Sequence, residues 1–234
     1  MQFKNIPKTI ALIPDGNRRW AKQNRFSFLV GYKQGVKKFI DFSEWCNKYG
    51  INNISVWAFS TENINRPKEE VNALFNIYKK TATDKGIIRR LHENETNFRV
   101  IGDLSMLPKD LRAALDKVAK ETSVYKEKTI NMLIGYGGKE DIMHAAIKAA
   151  EDAVRVGRVA LNEMMFKEYL LSRNVPDIDF VIRTSGEERL SGFMPWQAAY
   201  SELYFSDKLW PDFTKRDLEG ALSDYDRRAR RFGL

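Results

Sequence analysis

The chain has 234 residues, 43% of them hydrophobic and 30% charged, a balance that suits one packed globular domain and excludes a disordered chain. Cys46 is the only cysteine and His92 and His144 are the only histidines. An internal disulfide is therefore impossible, a Cys/His zinc centre is not expected, and a Ser-His-Asp triad is hard to assemble.

Lysine and arginine total 39 against 31 acidic residues, and the formal charge of +8 implies an anionic partner: nucleic acid, acidic lipid or a phosphorylated small molecule. Thr9–Ile13 reads as a first, buried strand. The apolar run there is short and Pro14 breaks it, so no secretory signal is expected, and no run approaches the ~18 apolar residues of a spanning helix. With a lone thiol, the expectation is a cytoplasmic protein.

A helix follows over 35–49, with Val36, Phe39, Ile40 and Ser43 on one face and Gly50 at its C-terminal cap. Ile54–Phe59 reads as the second strand. A long helix over 68–93 carries Val71, Leu74, Phe75 and Tyr78 at i, i+3, i+4, i+7, and Gly86, costing ~1 kcal/mol in a helix interior, predicts a break near 84–87. The strands Phe98–Ile101, Ile130–Ile134, Phe180–Ile182 and Leu203–Phe205 follow, with helices over 108–125, 139–156, 162–172 and 215–231. Strands alternating with helices predict βαβ units. The expected fold is one α/β domain over 1–234, with a mainly parallel six-stranded sheet flanked by helices.

Polar residues gather after the strands. The first is followed by Asp15-Gly16-Asn17-Arg18-Arg19-Trp20, the second by Ser60-Thr61-Glu62-Asn63-Ile64-Asn65-Arg66, and the fifth by Arg183 through Ser191. In an open parallel sheet ligands bind outside the carboxyl ends of the strands, so these loops converge. Arginine forks, hydroxyls and helix N-termini suit a diphosphate, and a carboxylate among so many donors suits an oxygen-bound Mg²⁺. Neither a Walker loop nor a GxGxxG fingerprint is present, which demotes nucleotide binding.

Three segments, PDGNRRWAK, AFSTENINRPKEEV and RTSGEERLSGFMPWQAAYSELYFSDKLWPDF, together resemble the cis-prenyltransferases, the undecaprenyl diphosphate synthase family. The third resembles versions common in archaeal members. The resemblance implies that the protein condenses isopentenyl diphosphate with an allylic prenyl diphosphate such as farnesyl or geranylgeranyl diphosphate. The product is a Z-polyprenyl diphosphate for lipid-carrier synthesis, and the hydrocarbon grows in an apolar tunnel walled by the helices at 35–49 and 68–93.

By the same resemblance Asp15 binds Mg²⁺ and assists departure of the allylic diphosphate. Gly16, Asn17, Arg18 and Arg19 cradle that diphosphate, with Trp20 beside it. Ser60, Thr61 and Glu62 bind substrate, Asn63 accepts or positions the proton, and Arg66 is the basic residue beyond. Arg183 and the Arg189-Leu190-Ser191 segment match the isopentenyl diphosphate clamp, and Glu202 matches a second metal carboxylate. Arg231-Phe232-Gly233 resembles a segment that reaches a partner's site in a homodimer. Peripheral contact with a membrane through the lipid product is implied as well, whereas nucleic-acid binding rests on charge alone and is not expected.

The chain departs from the family pattern at Phe28 and Tyr32, where many members carry arginine and histidine, and at Ile64, Glu188 and Gly192. These departures leave an irregular, non-head-to-tail condensation by the same fold as one alternative; the resemblance offers a second, a non-catalytic prenyltransferase subunit, against which the retained Asp15, Asn63, Arg183, Arg189 and Glu202 argue.

Overall fold

A computed structural model describes residues 3–157 and 161–228. Six strands, β1 (Thr9–Ile13), β2 (Asn53–Ser60), β3 (Thr96–Ile101), β4 (Lys128–Tyr136), β5 (Phe180–Arg183) and β6 (Glu202–Phe205), form one sheet in the order β3-β4-β2-β1-β5-β6. Every pairing is parallel. The helices are α1 (Asn17–Gln23), α2 (Phe28–Lys48), α3 (Lys68–Ala82), α4 (Lys85–Glu93), α5 (Lys109–Thr122), α6 (Gly138–Val156), α7 (Glu163–Tyr169) and α8 (Lys215–Arg227).

Alternation along the strands builds the two sides of the sheet. Ile10 and Leu12 join Phe42 of α2 and Leu218 and Leu222 of α8 in one core, while Ala11 and Ile13 join Leu133, Val181 and Phe193 in another. A third cluster packs Val71, Leu74 and Phe75 of α3 and Leu111 and Leu115 of α5 against Phe59 and Ile134. The register of β2 against β4 shifts between Trp57 and Ser60, where the strand enters the polar edge. Such irregularities re-aim side chains beside sites.

The break expected near 84–87 in the helix over 68–93 is present: α3 ends at Ala82, and Asp84 caps α4 by accepting from Gly86 N and Ile87 N at 2.8 and 3.0 Å. Two helices differ from the sequence expectation. Helix α1 was expected as loop, because it is two turns long and buries only Ala21. Helix α2 begins at Phe28, not near 35, since Gly31 and Gly35 lower propensity while permitting close packing on α1. A Cβ on Gly31 would lie 2.3 Å from Asn17 O, and one on Gly35 2.2 Å from Asn17 Oδ1. The last helix is described to Arg227, so the Arg231-Phe232-Gly233 segment lies outside the described residues.

Candidate active site

Asp15 leaves β1 and is held from both sides: Trp210 N–H and the Thr184 hydroxyl donate to its carbonyl at 3.0 and 2.7 Å. Gly16 follows in left-handed backbone (φ 106°), where a Cβ would lie 2.9 Å from Leu209 Cδ2, so only glycine serves there. Its N–H donates to Asp15 Oδ1 at 2.7 Å.

The other Asp15 oxygen faces Arg183, the last residue of β5, whose Nη2 lies 3.0 Å from Oδ2. Arg183 Nη1 donates to Ser191 Oγ at 2.8 Å and to Arg189 O at 2.5 Å. Its side chain is 6% exposed, so a nearly buried guanidinium stands beside a carboxylate that is 35% exposed. The segment carrying Arg189 and Ser191 has left-handed backbone at Ser185, Gly186, Ser191, Gly192 and Met194, a conformation that costs ~1–2 kcal/mol at each non-glycine residue. Buried Asp141 underpins it by accepting from Leu171 N and the Ser172 hydroxyl, which in turn accepts from Gln197.

Arg19 reaches this cluster from α1, at 3.3 Å from Glu187 and 3.8 Å from Asp15, and donates to Ser185 Oγ. Glu187 also pairs with Arg189, so one carboxylate links arginines of two separate segments.

A second group surrounds Glu70 of α3, whose side chain is 8% exposed. It lies 3.3 Å from Arg66 and 3.7 Å from Arg18, and accepts the Tyr32 hydroxyl at 3.0 Å. Arg66 also donates to Tyr32 Oη at 2.7 Å. Burial, outweighing the nearby arginines, pushes the Tyr32 phenol well above its ordinary range, so it stays a hydrogen-bond donor. Asn63 Oδ1 accepts from Ser60 N at 3.2 Å, which orients its carboxamide. Burial acts against the Glu62 charge, but hydrogen bonds from its own amide and from Ser60, with Lys139 nearby, hold its carboxyl below the usual range.

Of the predicted residues, Asp15, Gly16, Asn17, Arg18, Arg19, Ser60, Glu62, Asn63, Arg66, Arg183 and Ser191 line one cavity of about 1090 Å³, together with Phe28 and Tyr32. Five others, Trp20, Thr61, Arg189, Leu190 and Glu202, stand outside it. Trp20 turns its indole N–H to Asp212 at 2.7 Å, and Thr61 sits under Gly137, where a Cβ would come 2.6 Å from its Oγ1. Arg189 binds Glu187, while Leu190 packs in the second core.

Glu202 is a correction to the expected metal pair. Register places it level with Phe180, three residues before Arg183 along the strand direction, at the opposite end of the strand from Asp15, and it pairs with Arg228 at 2.7 Å. Within one chain Asp15 therefore lacks Glu202 as a neighbour. The sequence reading also missed Glu70 and Glu187. Glu70 stands four residues after Arg66, a helical ion-pair spacing that could have flagged it.

Among the described residues no group of three acidic, histidine or cysteine side chains gathers to hold a cation. Asp15, a carboxylate left 35% exposed at the edge of an arginine cluster, fits Mg²⁺, which usually takes one or two protein carboxylates with substrate phosphates and water.

The family model described as putative undecaprenyl diphosphate synthase matches residues 13–233. A tritrans,polycis-undecaprenyl-diphosphate synthase (geranylgeranyl-diphosphate specific) of Methanopyrus kandleri is 40% identical over 231 residues, covering 97% of this chain and 85% of that one. A ditrans,polycis-undecaprenyl-diphosphate synthase ((2E,6E)-farnesyl-diphosphate specific) of Pasteurella multocida is 38% identical over 232 residues, covering 98% and 95%. Among solved structures, lavandulyl diphosphate synthase from Lavandula x intermedia, in complex with dimethylallyl diphosphate, superposes with a TM-score of 0.91 at 34% identity, covering 98% of this chain and 99% of that one. With an arginine-rich cluster around Asp15 at the carboxyl edge of the sheet, and a family model and relatives that match the chain almost end to end, the chain belongs to the undecaprenyl diphosphate synthase family of cis-prenyltransferases.

Proposed function

We propose that this protein condenses isopentenyl diphosphate with an allylic prenyl diphosphate, farnesyl or geranylgeranyl, to give a Z-polyprenyl diphosphate and free diphosphate. The observation that carries this reading is the cavity itself: charged donors crowd one end, and Phe39, Ile40, Val56, Leu91 and Phe98 wall its middle. Its 1090 Å³ exceeds the ~300–1,000 Å³ typical of small-molecule pockets, which suits a growing hydrocarbon.

In this reading Asn17, Arg18, Arg19 and the α1 N-terminus hold the allylic diphosphate, and Arg183 with Ser191 holds isopentenyl diphosphate. Asp15 would hold Mg²⁺, whose positive charge would stabilise the departing diphosphate. The arginines are preorganised by their carboxylate partners before substrate arrives, the electrostatic arrangement that contributes most in such sites. Asn63, oriented by Ser60, positions the group that takes the proton from the attacking alkene.

Exposed Met143, Ile147 and Val154 form a stripe on α6, continued by Met164 and Met165 of α7. We take this stripe as the face on which two copies meet as a homodimer. Among the described residues no helix is long and apolar enough to cross a membrane; contact with a bilayer surface would come through the product.

Incubating the protein with farnesyl or geranylgeranyl diphosphate, labelled isopentenyl diphosphate and Mg²⁺ should give extractable polyprenyl product, and chelation should abolish it. Absence of product with every primer would overturn the reading. Irregular condensation is a second reading, favoured by the likeness to lavandulyl diphosphate synthase. A branched product of fixed length would establish it instead, but the volume of the cavity weighs against it.

A further inference from the structure

The positive charge of the chain is concentrated in one stretch. Between Asp15 and Asp41 lie seven lysines and arginines and no acidic residue, against a formal +8 for the whole chain. Three of the seven have partners: Arg18 and Arg19 pair with Glu70 and Glu187, and Lys38 lies over the Trp45 ring at 5.6 Å. Lys22, Arg25, Lys33 and Lys37 are exposed and, among the described residues, pair with no carboxylate. Like charges so gathered repel one another, and the fold gains nothing from them.

Apolar side chains stand out of the fold among these cations. Phe26 is 51% exposed, resting on the Trp20 ring at 5.7 Å between centroids, and Val30 is 39% exposed. The turn that presents Phe26 is a Schellman closure of α1: Phe26 N–H donates to Ala21 O at 2.8 Å and Arg25 N–H to Lys22 O at 3.2 Å. Arg25 holds the left-handed position of that turn (φ 57°), where glycine is the usual residue and a side chain is strained. Val30, Lys33 and Lys37 then follow at i, i+3 and i+7 on the outer face of α2, opposite Gly31 and Gly35, which bed on α1. Lys22 and Phe26 also line the cavity with Arg18 and Arg19, so the patch borders the cradle.

Exposed apolar groups flanked by unpaired cations match a bilayer with anionic head groups: the apolar groups enter the acyl boundary while the cations stay among the head groups. A nucleic-acid duplex would satisfy the cations and leave Phe26 and Val30 in water. We propose that the α1–α2 turn and the outer face of α2 dock on an anionic lipid bilayer. Phe26 and Val30 insert, and Lys22, Arg25, Lys33 and Lys37 bind head groups. This rests on the prenyl-elongation reading above, in which the hydrocarbon product passes to lipid, and it adds a contact that the protein makes before any product exists.

Sedimentation of the substrate-free protein with vesicles tests the proposal. Vesicles of phosphatidylcholine and phosphatidylglycerol in equal parts should bind the native protein, more weakly as salt is raised, and vesicles of phosphatidylcholine alone should bind it far less. A basic residue near an anionic surface contributes about fivefold in affinity, so Lys33→Glu with Lys37→Glu should weaken binding by about 25-fold or more. Val30→Trp should tighten it several-fold, and carries the test if the double variant fails to fold. None of these three residues lines the cavity, so both variants should keep the native kcat/KM in detergent solution. Equal binding to neutral vesicles, or folded variants that bind as the native protein does, would overturn the proposal. So would binding to an arbitrary DNA duplex in place of anionic vesicles. Vesicle binding with no prenyl product from any primer would instead overturn the elongation reading, so the two failures are distinguishable.

Discussion

Replacing Asp15 with asparagine keeps the side chain's shape and removes its charge. Asp15 lies 3.0 Å from Arg183, whose side chain is 6% exposed, and the other groups that bind this guanidinium, Arg189 O and Ser191 Oγ, are neutral. Removing one partner of a buried pair costs ~3–5 kcal/mol. Because Asp15 is itself 35% exposed, water reduces the cost to about 1–3 kcal/mol. At roughly 2–4 °C per kcal/mol for a chain of this size, Tm should fall by about 2–12 °C.

Binding and chemistry should then move in opposite directions. Inorganic diphosphate carries the negative charge that Arg183 has lost, so in magnesium-free buffer it should raise the Tm of Asp15→Asn by more than it raises that of the native protein. Turnover, by contrast, should fall by about 10²–10³-fold, the scale of losing one preorganised electrostatic group. Thermal melts with and without diphosphate, beside incorporation of labelled isopentenyl diphosphate, measure both. A variant that melts like the native protein, or that gains less from diphosphate, refutes Asp15 as the counter-ion of Arg183. Unchanged turnover refutes its place in the reaction.

Tyr32→Phe deletes the donor to Glu70 and the acceptor of Arg66 while keeping the ring. Bonds to charged groups contribute ~1.5–3 kcal/mol, so stability should fall by about 2 kcal/mol in urea unfolding, and KM for the allylic primer should rise several-fold with a smaller change in kcat. An unchanged KM would show that Tyr32 does not position Arg66. Burial acts against the Asp217 charge, but Thr214 and Lys208 outweigh it and hold the carboxyl below its usual range. A depressed folded pKa means that its contribution is complete above the unfolded value of ~3.9 and is lost as pH falls through the lower folded one. Asp217→Asn, which weakens the α8 cap, should therefore cost about 0.5–1 kcal/mol at pH 7, a difference that shrinks toward zero below about pH 3 in unfolding measured across pH.

The strands were legible because each buried run is apolar and bounded by charge. Thr9–Ile13 is described with the limits read from sequence, and β4 only adds residues at both ends. The convergence of the loops was legible too, since parallel order alone brings strand ends together. Position along a strand was not. Glu202 belongs to a motif-like segment, but only the pairing of β5 with β6 shows that it stands at the far end. Helix α1 escaped because two polar turns carry no period, and the start of α2 because its glycines read as breakers when they are contact points. The pairing of α2 with α4 had no sequence signal. Glu44 and Arg90 are 46 residues apart, on helices that look like ordinary amphipathic surface.

Close contact at Gly31 and Gly35 has a mechanical consequence. Helix α2 is at once the roof of the cavity and the bed on which Asn17 and the rest of α1 lie, and Trp210 clamps it by donating from Nε1 to Gly35 O at 2.9 Å. With almost no space between the two backbones, α1 cannot slide while α2 stays in place. Roof and cradle form one stiff part, so whatever pries the roof upward also pulls on the loop between β1 and α1.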